Sequence, residues 1–430
     1  MTTRVIELTA VAAAAVTIAG LSIAPAQAAP DLTIPVPCST EALFAAVSSA
    51  PSGSTLLLAP GCTYVLDEGL PMINRALTFI GGPSTLARSD AEETSKFSIM
   101  SICNGGYVVL HDVSFVNGDS SDDGINGGAI DNEGGFVAVN GGTFADNNAS
   151  HEGGAIYSSG TLHVTGANFT DNSAEYGGAI GNEGSASVTL AHFSDNGAYE
   201  GGGIYSDGPM SVDLSAFTGD NNATYGGATY INTGTLTITR SQFTGNPAEY
   251  GGAVYNYRGD LSLAGDTFDN NGGTGDKRGP NNSRNTPDDE SGTYEGGAIN
   301  NEDQMSLNGS TFSENSATYG GAVYNDDVAT MSMDNVETNA AATDGGGIYN
   351  VYELSVADTK IHVNHAGHDG GGIYNEEFLT ITGSQLDFNT AGNVGGGIYN
   401  DDSTTISKTS VDENAPDNCA PLGSVVGCFG

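Results

Sequence analysis

The sequence predicts an all-β chain, a right-handed parallel β-helix solenoid with a short N-terminal cap helix. Three observations predict it. A glycine-pair motif, Gly-Gly-(Ala/Gly)-(Ile/Val) in its usual form, recurs with first glycines Gly127, Gly153, Gly177, Gly201, Gly226, Gly251, Gly296, Gly320, Gly345, Gly370 and Gly395. The steps are 24–26 residues apart from one of 45, a solenoid period interrupted by one insertion of about 20 residues. In register with it runs a large apolar residue followed three later by Asn, from Phe144/Asn147 to Val411/Asn414; only the Phe217 copy departs, with Asp220 in the Asn place. Upstream of each lie alternating apolar pairs such as Val137/Val139, Leu162/Val164 and Leu354/Val356, a period of two that means strand with those side chains inward. A coil of this length holds about three short strands, and parallel strands of successive coils pair at about 4.8 Å. Parallel crossovers are almost always right-handed, which sets the expected hand. A leucine-rich-repeat horseshoe has a similar period but needs an L-x-x-L-x-L-x-x-N pattern that this chain lacks.

The elements follow in order. Residues 1–28 read as a signal peptide: Arg4, an apolar run over 8–23, then Ala26-Gln27-Ala28 as a small-x-small cleavage site. An uncleaved anchor is the competing reading, but the run is short for a span. Residues 29–126 read as the N-terminal cap and first irregular coils. In it, residues 40–47 suit an amphipathic helix with Ser39 or Thr40 as N-cap, followed by strand-like runs at 55–58, 64–66, 77–80 and 108–115. Such a lid is needed because an end coil exposes apolar core and strand edges. Residues 127–418 are the regular repeats, with the insertion at 272–295, and residues 419–430 form a disulfide-closed end. Five cysteines in an exported chain point to disulfides, here Cys38–Cys62 and Cys419–Cys428 with Cys103 left over; Cys62–Cys103 is the alternative.

Charge narrows the function. The chain has 430 residues, 52 acidic against 11 basic, and a net charge of −41. So few cations cannot neutralise phosphates, which argues against nucleic acid and against docking on anionic lipid. No apolar run after the signal segment is long enough for a membrane span. The expected protein is secreted or extracellular, associated with a cell surface, and monomeric.

The glycine-pair and Phe-x-x-Asn elements resemble the repeats of the polymorphic outer membrane proteins, autotransported bacterial surface proteins whose passenger β-helices are linked to adhesion. The stretch from Ala59 to Leu66, with the helix before it, resembles the start of secreted pectin-lyase-like β-helix proteins. The resemblance covers roughly residues 38–430 and implies fold far more strongly than activity. With the chain ending two residues after Cys428, the family's C-terminal membrane barrel is not expected to carry over.

Catalytic patterns are weak. Polygalacturonase-type enzymes carry Gly-His-Gly and Arg-Ile-Lys elements, absent here, and no Asp cluster flanks a lone outward Arg as a pectate-type lyase requires. Acids one or two coils apart meet the carboxylate spacings of glycosidases almost automatically, so that criterion selects no pair. The insertion, rich in Gly, Asn, Ser and Pro, reads as a disordered loop. His362, His365 and His368 form a spaced trio near one turn, His362 outward on its strand and the others in the turn, which reads as a solvated turn with a metal site as the alternative. Asp119, Asp122 and Asp123 resemble the front half of a calcium loop, though Ile130 stands where the bidentate acid belongs. Calcium is the one cofactor these acids suggest.

The leading reading is a non-catalytic, adhesin-like β-helix that binds a polysaccharide or cell-surface component. The alternative is a carbohydrate-active enzyme, hydrolase or lyase, with a site built from loops. In the leading reading the ligand lies along an outward stripe. Alternation turns Tyr324, Tyr349, Tyr374 and Tyr399 outward in four consecutive coils, with Asp326, Glu376 and Asp401 two residues on. The expected mode stacks sugar rings on the tyrosines, with the acids holding calcium or cationic groups; a tyrosine ladder that merely covers its sheet is the competing reading. The repeat count predicts a rod about 70 Å long at about 4.8 Å per coil. Small-angle scattering should show an elongated particle; a compact sphere would refute the solenoid.

Overall fold

The glycine pair opens each regular coil from Gly127 on, and its two positions do different work. In a computed structural model describing residues 32–122, 124–219, 221–272 and 294–428, the first glycine of all eleven motif copies has φ between +60° and +69°. The second lies where a side chain has no room: a Cβ on Gly321 would stand 2.2 Å from the Gly346 carbonyl oxygen of the next coil. The pair therefore turns the chain and lets successive coils approach to hydrogen-bonding distance.

Past this turn comes a three-residue strand, as in Ile348–Asn350, then a five-residue strand such as Glu353–Ala357, then a second short strand such as Lys360–His362. Each pairs in parallel with its counterpart one coil on, in register: Ile348 with Ile373, Leu354 with Leu379, Ile361 with Leu386. The result is a parallel β-solenoid of about 15 turns. The first strands form a thirteen-stranded sheet whose order follows the chain. The other two walls merge into one 27-stranded sheet, because the early strands Ala76–Arg88 and Tyr107–Val116 run round the corner through both. Residues 1–28, read from the sequence as a signal peptide, and residues 273–293 of the insertion lie outside the described residues. On either side of the insertion the pairing resumes in register, with Val254 opposite Ile299.

Like residues stack on like inside the coil. Eight phenylalanines, from Phe115 to Phe312, form one column with ring centroids 4.5–5.1 Å apart and rings within 15° of parallel. Each such contact adds about 0.5–1.5 kcal/mol beyond the area it buries. The helix Thr40–Ser49 caps the N-terminal end. Ser39 is its N-cap, accepting from Ala42 N at 3.3 Å, and Leu43 and Val47 are fully buried against the first coil. Cys38–Cys62 ties that cap to the first coil and Cys419–Cys428 closes a loop at the other end, while Cys103 is a free thiol. Among the described residues no helix is long and apolar enough to cross a membrane.

The Phe-x-x-Asn element explains the next corner. Asn Nδ2 donates to the Asn Oδ1 of the following coil at 2.9–3.0 Å, in an unbroken run from Asn147 to Asn414. Each Nδ2 also donates to a core-facing carbonyl of the coil before, as Asn364 does to Val336 O at 2.9 Å. The expected break at the Phe217 copy is corrected: Asn221 takes the rung one residue later, accepting from Asn196 at 2.9 Å and donating to Asn246 at 3.0 Å. Asp220 lies outside the described residues. A second amide ladder, Asn256–Asn301–Asn325–Asn350–Asn375–Asn400, runs at 2.7–2.8 Å.

Asn364→Ala removes the acceptor of Asn339 N and Nδ2 and the donor to Val336 O and Asn389 Oδ1, all buried. Stability in a denaturant titration should fall by about 2–4 kcal/mol, the cost of leaving such groups unsatisfied.

Candidate functional site

The thirteen-stranded wall carries the chemistry. Alternation along Ile348–Asn350 buries Ile348 and Asn350 completely and turns Tyr349 outward. In parallel register the outward residues form a column of tyrosines, Tyr324–Tyr349–Tyr374–Tyr399, with centroids 5.2, 4.7 and 4.8 Å apart and rings within 14° of parallel. An earlier column, Tyr205–Tyr230–Tyr255, is stacked at 5.5 and 5.1 Å. One clause of the sequence reading is corrected here. Facing outward leaves only 9% of Tyr349 exposed and Tyr324, Tyr374 and Tyr399 half-buried, and the inner rings Tyr349 and Tyr374 are covered on both faces by their neighbours. Sugar rings cannot lie on the inner tyrosines; what the column offers outward is ring edge and hydroxyl.

The acids two residues on hold those hydroxyls. Tyr349 donates to Glu376, Tyr374 to Asp401 at 3.1 Å, Tyr157 to Glu183 at 2.6 Å and Tyr255 to Glu302. Burial, then the adjacent carboxylates, pushes the phenols of Tyr349, Tyr374, Tyr205 and Tyr255 far above the usual tyrosine range. The tyrosines are therefore neutral donors at any physiological pH. Asp326 lies on the same face, its carboxyl raised by burial and by Asp327.

A parallel column immediately before the glycine pair escaped the sequence reading. Glu152, Tyr176, Glu200, Tyr225, Tyr250, Glu295 and Tyr319 follow one another by parallel bridges. Tyr225 stacks on Tyr250 at 4.9 Å and meets Tyr255 edge-on at 5.2 Å, so the two aromatic columns interlock. Burial raises Glu152 to about 7, with Glu183 and Asp207 adding to it, and Glu200 to about 7, with Asp207 and Glu175 adding. The only signal in the sequence was Tyr or Glu recurring one residue before the glycine pair.

The other candidates disperse. Asp119 and Asp122 each face Lys96 Nζ at 3.9 Å, so a chain cation already stands where the calcium loop was expected; Asp123 lies outside the described residues. The three histidines separate: His362 pairs with Asp387, His365 with Thr390 at 2.9 Å, and His368 with Asp344 and Asp369 at 3.3 and 3.0 Å. The Asp344–His368–Asp369 group brings three metal-ligating atoms within 4.8 Å of one another. Its carboxylates are already engaged by N–H groups, Asp344 by Asp369 N at 2.8 Å and Asp369 by Val394 N at 3.0 Å. A recess of about 400 Å³ lined by Gly82, Pro83, Asp112, Ser114, Gly142, Thr143 and Asn168 lies away from this wall.

Fold and wall together define a parallel β-solenoid repeat protein with a tyrosine–carboxylate face. Its repeats resemble the Chlamydia polymorphic membrane protein repeat, which matches residues 141–159 and 309–326. Each matched segment runs from the Phe-x-x-Asn corner, Phe144/Asn147 or Phe312/Asn315, through the glycine pair into a Tyr-bearing strand. No curated protein matches the chain.

Acids raised in this way hold a proton more tightly folded than unfolded. Asp131, Glu152, Glu200 and Asp266 stand at about 7 and Asp334 at about 6, each chiefly through burial. The stability they confer is complete below the unfolded carboxylate range and is lost as pH rises through the folded values. The melting midpoint should therefore fall steadily between about pH 4.5 and 7.5, when followed by thermal scans in matched salt.

Proposed function

We propose that the chain is a surface-exposed, non-enzymatic repeat protein, exported and adhesin-like, that holds a polysaccharide or cell-surface component along its tyrosine–carboxylate wall. The observation that carries this reading is the four-coil run Tyr324, Tyr349, Tyr374, Tyr399, stacked rung on rung with Glu376 and Asp401 engaged at its edge. A surface that repeats at every coil suits a ligand that also repeats. Each contact is weak alone, but contacts made by one polymer add through effective concentration. The ligand is bound edge-on: its hydroxyls donate to the free lone pairs of Asp326, Glu376 and Asp401, and calcium bridges these carboxylates to anionic sugars. The match to a repeat of membrane-associated bacterial proteins supports a place at the cell surface.

The test is retention of the full chain on insoluble plant, fungal and bacterial polysaccharides, with and without a calcium chelator. Glu376→Gln with Asp401→Asn keeps an acceptor for each tyrosine hydroxyl but removes the charge. Retention should drop about tenfold in the double variant, the loss of roughly 1.4 kcal/mol. Unchanged retention would refute the assignment of this wall, and release of reducing ends or unsaturated products would refute the non-enzymatic reading.

A further inference from the structure

The outward tyrosine column is interrupted at Gly181 and again at Asn300. Gly181 pairs with Tyr157 on one side and Tyr205 on the other, so those two residues stand two coil rises, about 9.6 Å, apart. One ring is missing from the stack. Glu152 reaches into its place: a Cβ on Gly181 would stand 3.0 Å from the Glu152 Cβ, and the Glu152 charge is felt by both Tyr157 and Tyr205. Tyr176 leans over the gap from the neighbouring column, its ring 5.2 Å from Tyr205 and tilted by 48°.

Glu152 is only 5% exposed. Its Oε1 faces His151 Nδ1 at 3.5 Å, but its Oε2 is buried and meets no donor. Around it stand Glu183 and Asp207, which accept the hydroxyls of Tyr157 and Tyr205 at 2.6 and 3.0 Å, while Glu200, two coils along the same column, shares the field of Asp207. Among the described residues no lysine or arginine contributes to the electrostatics of Glu152 or Glu200. The gap thus combines an acceptor without a donor, an excess of negative charge and three aromatic rings.

We propose that the gap at Gly181 is a binding site for an alkylammonium group that carries N–H donors. The missing hydrogen bond of Glu152 calls for a donor, the surrounding carboxylates call for a cation, and tyrosine rings attract a desolvated cation across their faces. A metal ion fits less well. The acids here do not bring three ligand atoms together as Asp344, His368 and Asp369 do. The second interruption repeats the chemistry: Asn300 is fully buried, its Oδ1 lacks a donor, and its Nδ2 lies 3.3 Å from Glu295 Oε2. The site is separate from the Tyr324–Tyr399 run and does not depend on polysaccharide binding there.

Calorimetric titration of the full chain at about 0.15 M salt tests it, at about pH 7.5, above the value of about 7 to which burial raises Glu152, and with general attraction to the acidic surface screened. Spermidine represents a free polyamine, glucosamine an amino sugar, and choline and calcium serve as cations without N–H donors. Spermidine, glucosamine or both should bind, and whichever binds names the source. Glu152→Gln, of the same size, should weaken that binding at least tenfold, while Glu353→Gln, at an exposed acid on the 27-stranded sheet, leaves it unchanged. Gly181→Tyr should abolish it by restoring the ring, but its Cβ would stand 2.8 Å from Gly153 N, so Glu152→Gln is the deciding variant. Failure of both amines to bind, equal binding by choline or calcium, or wild-type affinity in Glu152→Gln would each overturn the proposal.

Discussion

A coil that turns inward three times must bury backbone carbonyl and amide groups at its corners, and the asparagine column is what makes that tolerable. An asparagine side chain is at once donor and acceptor, so one rung satisfies a carbonyl of the coil before it and the amide of its neighbour. Asn364 does both, between Val336, Asn339 and Asn389. No other side chain of that size carries both functions in this geometry. The spacing the amides need is close to the strand separation, so the ladder and the backbone pairing hold the other residues in the same vertical register. The phenylalanine stack and the tyrosine wall share that register.

The same register decides what the surface can be. Outward residues repeat at the coil rise, so aromatic rings placed there cover one another and acids placed there crowd. The protein meets the crowding in two ways. Some carboxylates are engaged by tyrosine hydroxyls, as at Glu376 and Asp401. Others, such as Glu152 and Glu200, keep a proton near neutrality. Asp266, raised to about 7, does the same, and Asp334, raised to about 6, does so less; each accepts a backbone N–H, from Ser241 and Ser310, at 2.7 Å.

What could be read from the sequence was what identical spacing reports. Glycine pairs, phenylalanines and asparagines at a constant interval imply stacking before any coordinate is known, and the disulfides Cys38–Cys62 and Cys419–Cys428 were within reach because the cysteines sit near the ends. Contacts between unlike residues on neighbouring coils were not legible. Asn221 restores a rung by slipping one residue, which spacing alone marked as a break at Asp220. Alternation placed Tyr349 outward but could not show that its faces were already occupied. Lys96 closes on Asp119 and Asp122 from more than 20 residues away. His368 meets Asp344 only because a whole coil separates them in sequence.

The pairing of Val254 with Ile299 and of Tyr250 with Glu295 is undisturbed although the chain between these coils is about 20 residues longer than elsewhere. Each turn therefore answers only to the turn above and the turn below, and nothing in its geometry counts how many others there are. For a gene, this makes the coil a unit of inheritance. An in-frame duplication or loss of one period lengthens or shortens the solenoid by a single storey without breaking a rung. The break at Gly181 and the one at Asn300 can thus be copied, moved apart or erased along with the storey that holds them. Lineages of such proteins would then differ first in height and in the spacing of those breaks, and only later in fold.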